Sequence, residues 1–323
     1  MKLSKVVPCV LGALLCVTPL AAYGQTYDVA VFGDMPYVPD EASRTFYLPR
    51  YQRLLDAMGN APIAFAVHVG DFTTGPLCGD STVQLRFNEF RNFGRPLVFV
   101  FGDNEWTDCA RGGFDPLERL QKLRSVFTQG NESLGRTSIR LQRQSDNARY
   151  AKFRENVRWV HGRETYVALN LPGSRNNWGH SQEPSAEYLE RNAANLAFLR
   201  ESFELATRDS SRGVVIFIQA NPGLNSLPEE REPEMTRGFD DFLRELQRLT
   251  VAFGKPVVLF HGDTHYFRID KPLFDGHGHV VPNFTRVETF GHPNYYWVNL
   301  HVDPADPDLF GFRLVRPAEP PTR

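Results

Sequence analysis

Four short apolar runs, each ending at Gly-Asp, constrain the fold of this chain more than any other feature of its sequence. Their terminal aspartates are Asp34, Asp71, Asp103 and Asp263. An apolar run of this length followed by glycine and an acid is typical of a buried parallel strand, whose carboxyl end is where open α/β sheets place their ligands. Bringing several carboxylates together in a buried position costs free energy unless a cation binds them. The pattern therefore predicts a metal site at the carboxyl edge of a sheet.

Length and charge narrow the class of protein. The chain has 323 residues, of which 41% are apolar, enough for one large α/β domain. Its net charge is -2 and its pI is near 6.5, so it lacks the excess of basic residues that binding to duplex nucleic acid requires. We expect a small-molecule partner.

The first residues have the pattern of a secretory signal peptide. Lys2 and Lys5 precede an apolar segment, Val6 to Leu20, and small residues follow it up to Gly24. The apolar segment is too short for a retained membrane helix, and neither Cys9 nor Cys16 follows the small residues of a lipoprotein signal. We expect residues 1–24 to be removed, a domain over 25–316, a tail over 317–323, and a periplasmic or secreted protein without a membrane anchor.

Two cysteines remain in the mature chain. Cys78 follows Asp71 by seven residues and Cys109 follows Asp103 by six. In an oxidising compartment they are expected to form a disulfide. The bridge would connect the loops after two predicted ligand strands, either as part of the site or as an ordinary loop staple.

The remaining pattern alternates strands and helices, which implies right-handed βαβ crossovers. A hairpin is predicted at 157–161 and 164–171, and a buried strand at 213–218 runs into Gln219. Residues of about 128–152 form a polar insertion. Short runs at 280–287, 295–302 and 309–315 indicate an antiparallel portion. Helices are predicted at 41–58, 82–93, 116–127, 185–208 and 233–253.

The ordered motifs GDMPY, HVGD, GDNEWTDC and HGDTHYFRIDKPL resemble the calcineurin-like metallophosphoesterase superfamily, and within it an exported bacterial branch. The resemblance covers Tyr27 to about Val315. It implies an α/β fold, a β-sandwich flanked by helices in four αββα layers. It also implies hydrolysis of a phosphomonoester or phosphodiester by metal-activated water, with one or two divalent ions per chain.

The superfamily motifs match this chain in part. Asp34, Asp71 and His265 fall on ligand positions outright, whereas Pro36 stands where a histidine is expected. Oxygen donors replace imidazole elsewhere, which favours Mn²⁺ or Mg²⁺, with Ca²⁺ or Zn²⁺ as alternatives. Gln219 has a second interpretation, as a residue that only satisfies backbone groups. The metal ligands implied by the resemblance are Asp34, Asp71, Asp103, Asp263, His265 and Gln219.

The resemblance leaves the proton donor open. Asn104 stands where the superfamily has a histidine that helps to protonate the leaving group, and an amide can only hydrogen-bond. His68 and His261, each beside a ligand strand end, are candidate acids, although His68 is also compatible with a core histidine. Tyr37 completes a Gly-Asp-x-x-Tyr spacing that purple acid phosphatases use for a metal ligand, at a different motif.

The last motif has a second possible match. Residues 276–279 spell Gly-His-x-His, but they follow a predicted hairpin rather than a buried strand, so HGDTH is the better match.

Two alternative functions remain. The rival function is a non-catalytic binding protein of the same fold, whose histidine losses have abolished turnover. A third possibility directs the same site to a nucleotide or phospholipid ester.

Overall fold

The computed structural model describes residues 24–179, 181–224 and 236–318. The predicted signal peptide lies outside these ranges except for Gly24, and so do the first residues of the helix predicted at 233–253. The strands are β1 Tyr27–Phe32, β2 Ile63–His68, β3 Leu97–Phe99, β4 Gln142–Arg143, β5 Val157–His161, β6 Glu164–Ala168, β7 Val214–Phe217, β8 Val257–His261, β9 Arg268–Asp270, β10 Phe284–Glu288, β11 Trp297–Val302 and β12 Phe310–Val315. The helices are α1 Glu41–Asn60, α2 Asp80–Arg91, α3 Pro116–Phe127, α4 Ala186–Arg208 and α5 Asp240–Phe253.

These strands form two sheets. The first has the order β12-β11-β1-β2-β3 and the second β4-β5-β6-β7-β8-β10-β9. β1, β2 and β3 are parallel, as are β6, β7, β8 and β10. Because the carboxyl ends of parallel strands meet at one edge, each sheet brings the residues that follow its parallel strands together.

Three apolar layers explain the stacking. The sheets meet through side chains such as Val67 of β2 and Phe217 of β7, which belong to one buried cluster. A second cluster joins the first sheet to α1, α2 and α3, and a third joins the second sheet to α4 and α5. Both faces of each sheet are therefore covered, and the predicted helix–sheet–sheet–helix arrangement is confirmed.

Local signals fix the helix ends. Asp40 caps α1 by accepting a hydrogen bond from Ser43 N, and Ser185 caps α4 by accepting one from Tyr188 N. Asp115 caps α3, whose first residue is a proline. These residue types are visible in the sequence, and four of the predicted helices agree with the structure to within two residues. The helix predicted at 233–253 ends as predicted, but α5 begins only at Asp240, after a turn at 237–239.

The carboxyl-terminal strands depart from the prediction. β11 and β12 pair antiparallel as expected, but β10 pairs in parallel with β8 and antiparallel only with β9. The polar insertion contributes β4, which extends the second sheet beyond β5. Within the described ranges, no helix combines the length and apolarity needed to cross a membrane.

The predicted disulfide is confirmed. Cys78 and Cys109 are bonded, with their Cα atoms 5.7 Å apart. The bridge connects the loop after β2 to the short 3₁₀ helix Thr107–Gly112 after β3. Both segments follow strands that deliver aspartates.

Candidate metal centre

The residues at the strand ends adopt backbone conformations that side chains other than glycine rarely take. Asp34, Asp71, Asp263 and His265 have φ values of 53°, 62°, 78° and 57°. Left-handed conformations cost free energy and gather at functional sites. Together with Asp103, these residues form what we call the strand-end cluster: Asp34, Asp71, Asp103, Asp263 and His265.

Asp71 lies among neutral donors. Its Oδ2 accepts hydrogen bonds from the Tyr37 hydroxyl at 3.1 Å, Asn104 Nδ2 at 3.0 Å and Gln219 Nε2 at 3.2 Å. Its Oδ1 accepts one from the Asn104 backbone N–H at 3.1 Å. The structure thus brings Asn104 and Gln219 to Asp71.

Gln219 connects Asp71 to Asp103. The same Nε2 lies 3.3 Å from Asp103 Oδ1, and Gln219 Oε1 accepts a hydrogen bond from Gly173 N at 2.5 Å. The side chain therefore satisfies a backbone group and contacts two carboxylates at once. Both roles left open by the sequence, backbone partner and site residue, are compatible with this position.

The second sheet contributes Asp263 and His265, which contact Asp34. Asp263 N donates to Asp34 Oδ1 at 2.9 Å, and His265 Nε2 lies 3.5 Å from the same oxygen. Asp34 is fully buried, and its Oδ2 has no hydrogen-bond partner among the described residues. An unpartnered buried carboxylate oxygen indicates a position for a cation or a proton.

Two glycines allow the carboxylates to approach the backbone. A Cβ atom at Gly173 would lie 2.6 Å from Asp103 Oδ2 and 2.8 Å from Asp263 Oδ1, and one at Gly262 would lie 2.0 Å from Asp34 Oδ2. Any side chain at these positions would displace a carboxylate. Gly173 therefore marks the place where aspartates from the two sheets approach each other.

Burial and mutual repulsion act on these carboxyl groups together. Burial, followed by the charge of Asp103, raises the pKa of Asp263 to about 8. Burial, followed by Asp108, raises that of Asp103 to about 6, and burial with Asp103 and Glu105 raises the pKa of Asp71. The folded chain thus opposes the charged forms of these carboxyl groups, so each needs a proton or a cation as its partner.

His265 supplies positive charge to the cluster. Burial opposes its charged form, but the hydrogen bond and charge of Asp34 raise its pKa to about 9. Its Nδ1 lies 2.9 Å from the carbonyl oxygen of His292, which orients the ring. One imidazolium faces four aspartates, so most of the carboxylate charge remains unmatched.

The overall arrangement has a counterpart of known structure. No family model matches the sequence, and no curated protein matches it. Among solved structures, a dimetal phosphatase from Danio rerio aligns with a TM-score of 0.53 and 14% identity, covering 85% of this chain and 92% of that chain. This chain shares its fold with that protein. A protein of unknown function from Aquifex aeolicus aligns with a TM-score of 0.26 and 10% identity, over 60% of this chain and 80% of that one.

Glu105 stabilises the loops that follow β2 and β3, and the sequence assigned it no role. Its Oε2 accepts hydrogen bonds from Gly102 N at 2.7 Å and Asp71 N at 3.1 Å, and its Oε1 accepts one from Phe72 N. It therefore fixes the backbone that carries Asp71. Its place in Gly-Asp-Asn-Glu, directly after the apolar run, was the available signal.

Ser174 is a second contact that the sequence did not reveal. Its hydroxyl lies 3.0 Å from Asp103 Oδ2 and 2.5 Å from Asp108 Oδ1. Residues 174–177 all have φ between 48° and 55°, a left-handed turn. Buried Arg191 anchors it through Asn176 Oδ1 at 2.5 Å. Such a turn is rare outside glycine, so local pattern could not predict it.

The two candidate histidines lie in buried surroundings. His68 packs against Phe32, Phe90 and Phe99; its Nδ1 accepts from Gly70 N at 3.1 Å, and its Nε2 lies 3.3 Å from Met35 O. Burial lowers the pKa of both His68 and His261 to about 3. Both are neutral near pH 7, which disfavours proton donation to a leaving group, and His68 has the environment of a core residue.

The Gly-His-x-His sequence lies at a turn, as predicted. Asp275 N donates to His279 O at 2.8 Å, and Phe274 bridges to Val280 across the hairpin. His279 Nδ1 lies 3.4 Å from Asp275 Oδ2, and its side chain is 78% exposed. The tip is separate from the parallel strand ends.

The side chains of the strand-end cluster have donor atoms of the types that bind divalent metal ions. Among the described residues, no three His, Cys, Asp or Glu side chains are already placed to hold an ion between them. Even so, the strand-end cluster offers carboxylate oxygens and one imidazole, the unpartnered Asp34 Oδ2 is buried, and the charge is unmatched. These are the properties of an oxygen-rich divalent cation site.

Proposed function

We propose that this protein is an exported metal-dependent phosphoesterase that hydrolyses a phosphomonoester or phosphodiester. The proposal places it in the calcineurin-like metallophosphoesterase superfamily, in the exported branch with the GDNEW and HGDTH motifs. The predicted signal peptide and the disulfide between Cys78 and Cys109 support export. A small phosphoester is the proposed substrate.

One observation carries the proposal. Asp34, Asp71, Asp103 and Asp263 follow parallel strands of two different sheets and meet at a single buried edge, in a fold shared with a dimetal phosphatase. Burial raises the pKa values of all four, and neighbouring carboxylates raise those of Asp71, Asp103 and Asp263 further. A cation relieves both effects, whereas a purely structural role would leave the cost uncompensated.

Asp34, Asp71, Asp103, Asp263, His265 and Gln219 are the proposed ligands, for Mn²⁺ or Mg²⁺ in the first place. Such an ion supplies polarisation of the phosphoryl oxygens and a lowered pKa for its bound water. Gln219 holds Asp71 and Asp103 at a fixed separation. Asn104 Nδ2, already directed at the cluster, is suited to donate a hydrogen bond to a phosphoryl oxygen.

A binding protein of the same fold is the second candidate, and a specific observation favours it. Asn104 cannot give up a proton, and His68 and His261 are buried and neutral. If no other acid protonates the leaving group, only esters with good leaving groups would be hydrolysed. Turnover of such an ester separates the two candidates.

The test uses the mature chain, stripped of metal by a chelator. Hydrolysis of p-nitrophenyl phosphate and bis-p-nitrophenyl phosphate is measured after addition of Mn²⁺, Mg²⁺, Ca²⁺ or Zn²⁺ in turn. We expect activity to return with Mn²⁺ or Mg²⁺, and Asp71→Asn to lose it by at least about a hundredfold.

His279→Gln is the matched control, because it removes an imidazole from the hairpin tip and leaves the strand-end cluster intact. It should behave as the wild type. Measurable metal binding without turnover of either ester would favour the binding protein. Absence of metal binding would contradict both candidates.

A further inference from the structure

The loop at 263–266, directly after β8, carries two members of the strand-end cluster in left-handed conformations. Asp263 has a φ of 78° and His265 one of 57°. Side chains other than glycine keep such conformations only where the surrounding structure fixes them. Asp263 N and His265 Nε2 both face Asp34 Oδ1, so the contacts that fix this loop also set the geometry of the cluster.

Glu288, the last residue of β10, supplies contacts of this kind. Its Oε1 accepts a hydrogen bond from Tyr266 N at 2.9 Å and another from the Thr264 hydroxyl. Thr264 and Tyr266 flank His265 in the chain. The side chain of Glu288 is fully buried. One carboxylate oxygen thus binds the loop on both sides of His265.

Thr264 extends these contacts to Asp263. Asn221 Nδ2 donates to Thr264 Oγ1 at 3.1 Å, and Asn221 N donates to Asp263 Oδ2 at 2.9 Å. The Thr264 hydroxyl therefore donates to Glu288 and accepts from Asn221. Glu288 is connected in this way to the carboxylate of Asp263 as well as to the backbone around His265.

The other oxygen of Glu288 faces an arginine. Arg268 Nε lies 2.9 Å from Glu288 Oε2. Glu288 pairs in register with His261 of β8 on one side and with Arg268 of β9 on the other. A carboxylate offers an acceptor at each of its two oxygens, so it can contact the loop and the arginine at the same time.

The first sheet contains a buried glutamate with the same kind of contacts. Glu105 accepts hydrogen bonds from Gly102 N, Asp71 N and Phe72 N, and Asp71 has a φ of 62°. Each sheet therefore has one buried glutamate that accepts from the loop carrying left-handed cluster residues. This repetition favours a role for Glu288 in positioning the cluster.

We propose that Glu288 is a positioning residue of the strand-end cluster, which holds the 263–266 loop so that Asp263 and His265 lie against Asp34. The inference rests on the proposed function for the use of this geometry, and it goes beyond that function by assigning a role to a residue outside the matched motifs. Asp263 N lies 2.9 Å and His265 Nε2 3.5 Å from Asp34 Oδ1. A shift of the loop would change both contacts together.

Glu164 provides a matched control at the opposite end of the second sheet, because it begins β6 whereas Glu288 ends β10. It is also fully buried. Its Oε1 lies 3.1 Å from Arg212 Nε, and its Oε2 accepts hydrogen bonds from the Tyr27 hydroxyl at 2.7 Å and from Arg163 N at 3.0 Å. Like Glu288, it contacts one arginine, one hydroxyl and a backbone N–H.

The experiment compares Glu288→Gln with Glu164→Gln, because an amide accepts at one atom only and cannot satisfy both the arginine and the other donors. The first measurement is the imidazole N–H signal of His265, whose Nδ1 lies 2.9 Å from His292 O. Proton–nitrogen NMR spectra of the metal-free mature protein should show this signal in the wild type and in Glu164→Gln. In Glu288→Gln it should be lost. The spectrum of His265→Gln assigns it.

The second measurement is the affinity for Mn²⁺. It should weaken by about tenfold or more in Glu288→Gln, as is usual when a residue that orients metal ligands is changed, and stay near the wild-type value in Glu164→Gln. Both substitutions should lower the stability of the fold, because each leaves a buried donor unmatched. Thr264→Val removes only the hydroxyl contact of an exposed residue; it should also lose the signal, and it replaces Glu288→Gln if that variant does not fold.

Two results overturn the inference and leave the proposed phosphoesterase intact. One is retention of both the His265 signal and the Mn²⁺ affinity in Glu288→Gln. The other is equal loss in Glu288→Gln and Glu164→Gln, because the loss would then follow from destabilisation alone. Failure of the wild type to bind any metal removes the proposed function instead, and the spectra of the metal-free variants then decide whether Glu288 positions His265.

Discussion

Two buried polar regions of this molecule differ in how the charge of their carboxylates is balanced. The first, which we call the arginine network, is a continuous set of contacts among Arg124, Glu155, Asn170, Arg191 and Glu187. In the second, the strand-end cluster, four aspartates meet at the carboxyl edge with one histidine. Their burial is similar, but their charge balance differs.

The arginine network is neutralised. Arg124 and Glu155 form a two-point ion pair, with N–O distances of 2.9 and 2.6 Å, and their side chains are 6% and 2% exposed. Asn170 contacts both Glu155 and Arg191. Although burial opposes it, Arg191 lowers the pKa of Glu187. Such pairs are satisfied in both charge and geometry.

The strand-end cluster lacks this neutralisation. Burial raises the pKa of Asp71 and Asp263, and the other carboxylates raise it further. The same chain therefore uses arginine to balance buried acids in one region and leaves them unbalanced in another. The proposed cation site rests on this difference.

We expect the largest effect from a substitution in the arginine network. Arg124→Ala leaves Glu155 buried without its cation, so the free energy of unfolding should fall by about 3–5 kcal/mol. Urea denaturation measures the change. Arg208→Ala, which removes an exposed pair with Asp209, is the control and should leave stability nearly unchanged, because solvent screens exposed ion pairs. Equal effects of the two substitutions would contradict the distinction.

Metal addition tests the unbalanced region. Mn²⁺ at a hundred times its dissociation constant should stabilise the metal-free protein by about 2.7 kcal/mol, because it binds the folded chain only. Thermal unfolding with and without the ion measures the shift. The same addition should leave Asp71→Asn nearly unchanged. A wild-type protein insensitive to Mn²⁺, Mg²⁺, Ca²⁺ and Zn²⁺ would show that the aspartates need no cation.

We expect the smallest effect in the pH dependence of the stability of the metal-free protein. Burial and Asp103 raise the pKa of Asp263 from 3.8 to about 8, so the folded state holds a proton that the unfolded state releases. Stability of the metal-free protein should therefore fall as pH rises from about 4 to 8. Asp263→Asn removes the share of this dependence that Asp263 contributes, so its profile should be flatter, and it should be more stable than the wild type at pH 9 by about 1–2 kcal/mol.

The measurement is urea denaturation across that pH range in the presence of a chelator. Asp306→Asn, at an exposed turn near the carboxyl terminus, is the control and should follow the wild type. A wild-type profile that rises between pH 4 and 8 while that of Asp263→Asn does not would reverse the assigned sign.

The sequence pattern predicted those elements that depend on residues close together in the chain. The apolar runs before Asp34, Asp71 and Asp263 are strands, and Asp40 and Ser185 cap helices at the predicted places. The pairing of strands was harder to predict from the sequence, because strand order depends on contacts between residues far apart in the chain. β10, for example, pairs in parallel with β8. The proposed ligand roles remain predictions.

The site illustrates the same division. Sequence order placed Asp34, Asp71, Asp103 and Asp263 at strand ends, and parallel pairing alone brings strand ends to an edge. Ser174 could not be located in this way, and the spacing that singled out Tyr37 did not show which residues it contacts. Ser174 reaches Asp103 only through a left-handed turn anchored by Arg191, and Tyr37 meets His265 across 228 positions of sequence.

The sequence by itself determined the alternation of strands and helices, the two sheets' apolar faces, the disulfide partners and the carboxylates at the strand ends, because periodicity and end signals act over a few residues. Only the tertiary structure decided which side chains converge, which histidines are neutral, and that Tyr37 links Asp71 to His265. Those properties depend on burial and on distances between segments far apart in the chain, and no local pattern encodes either.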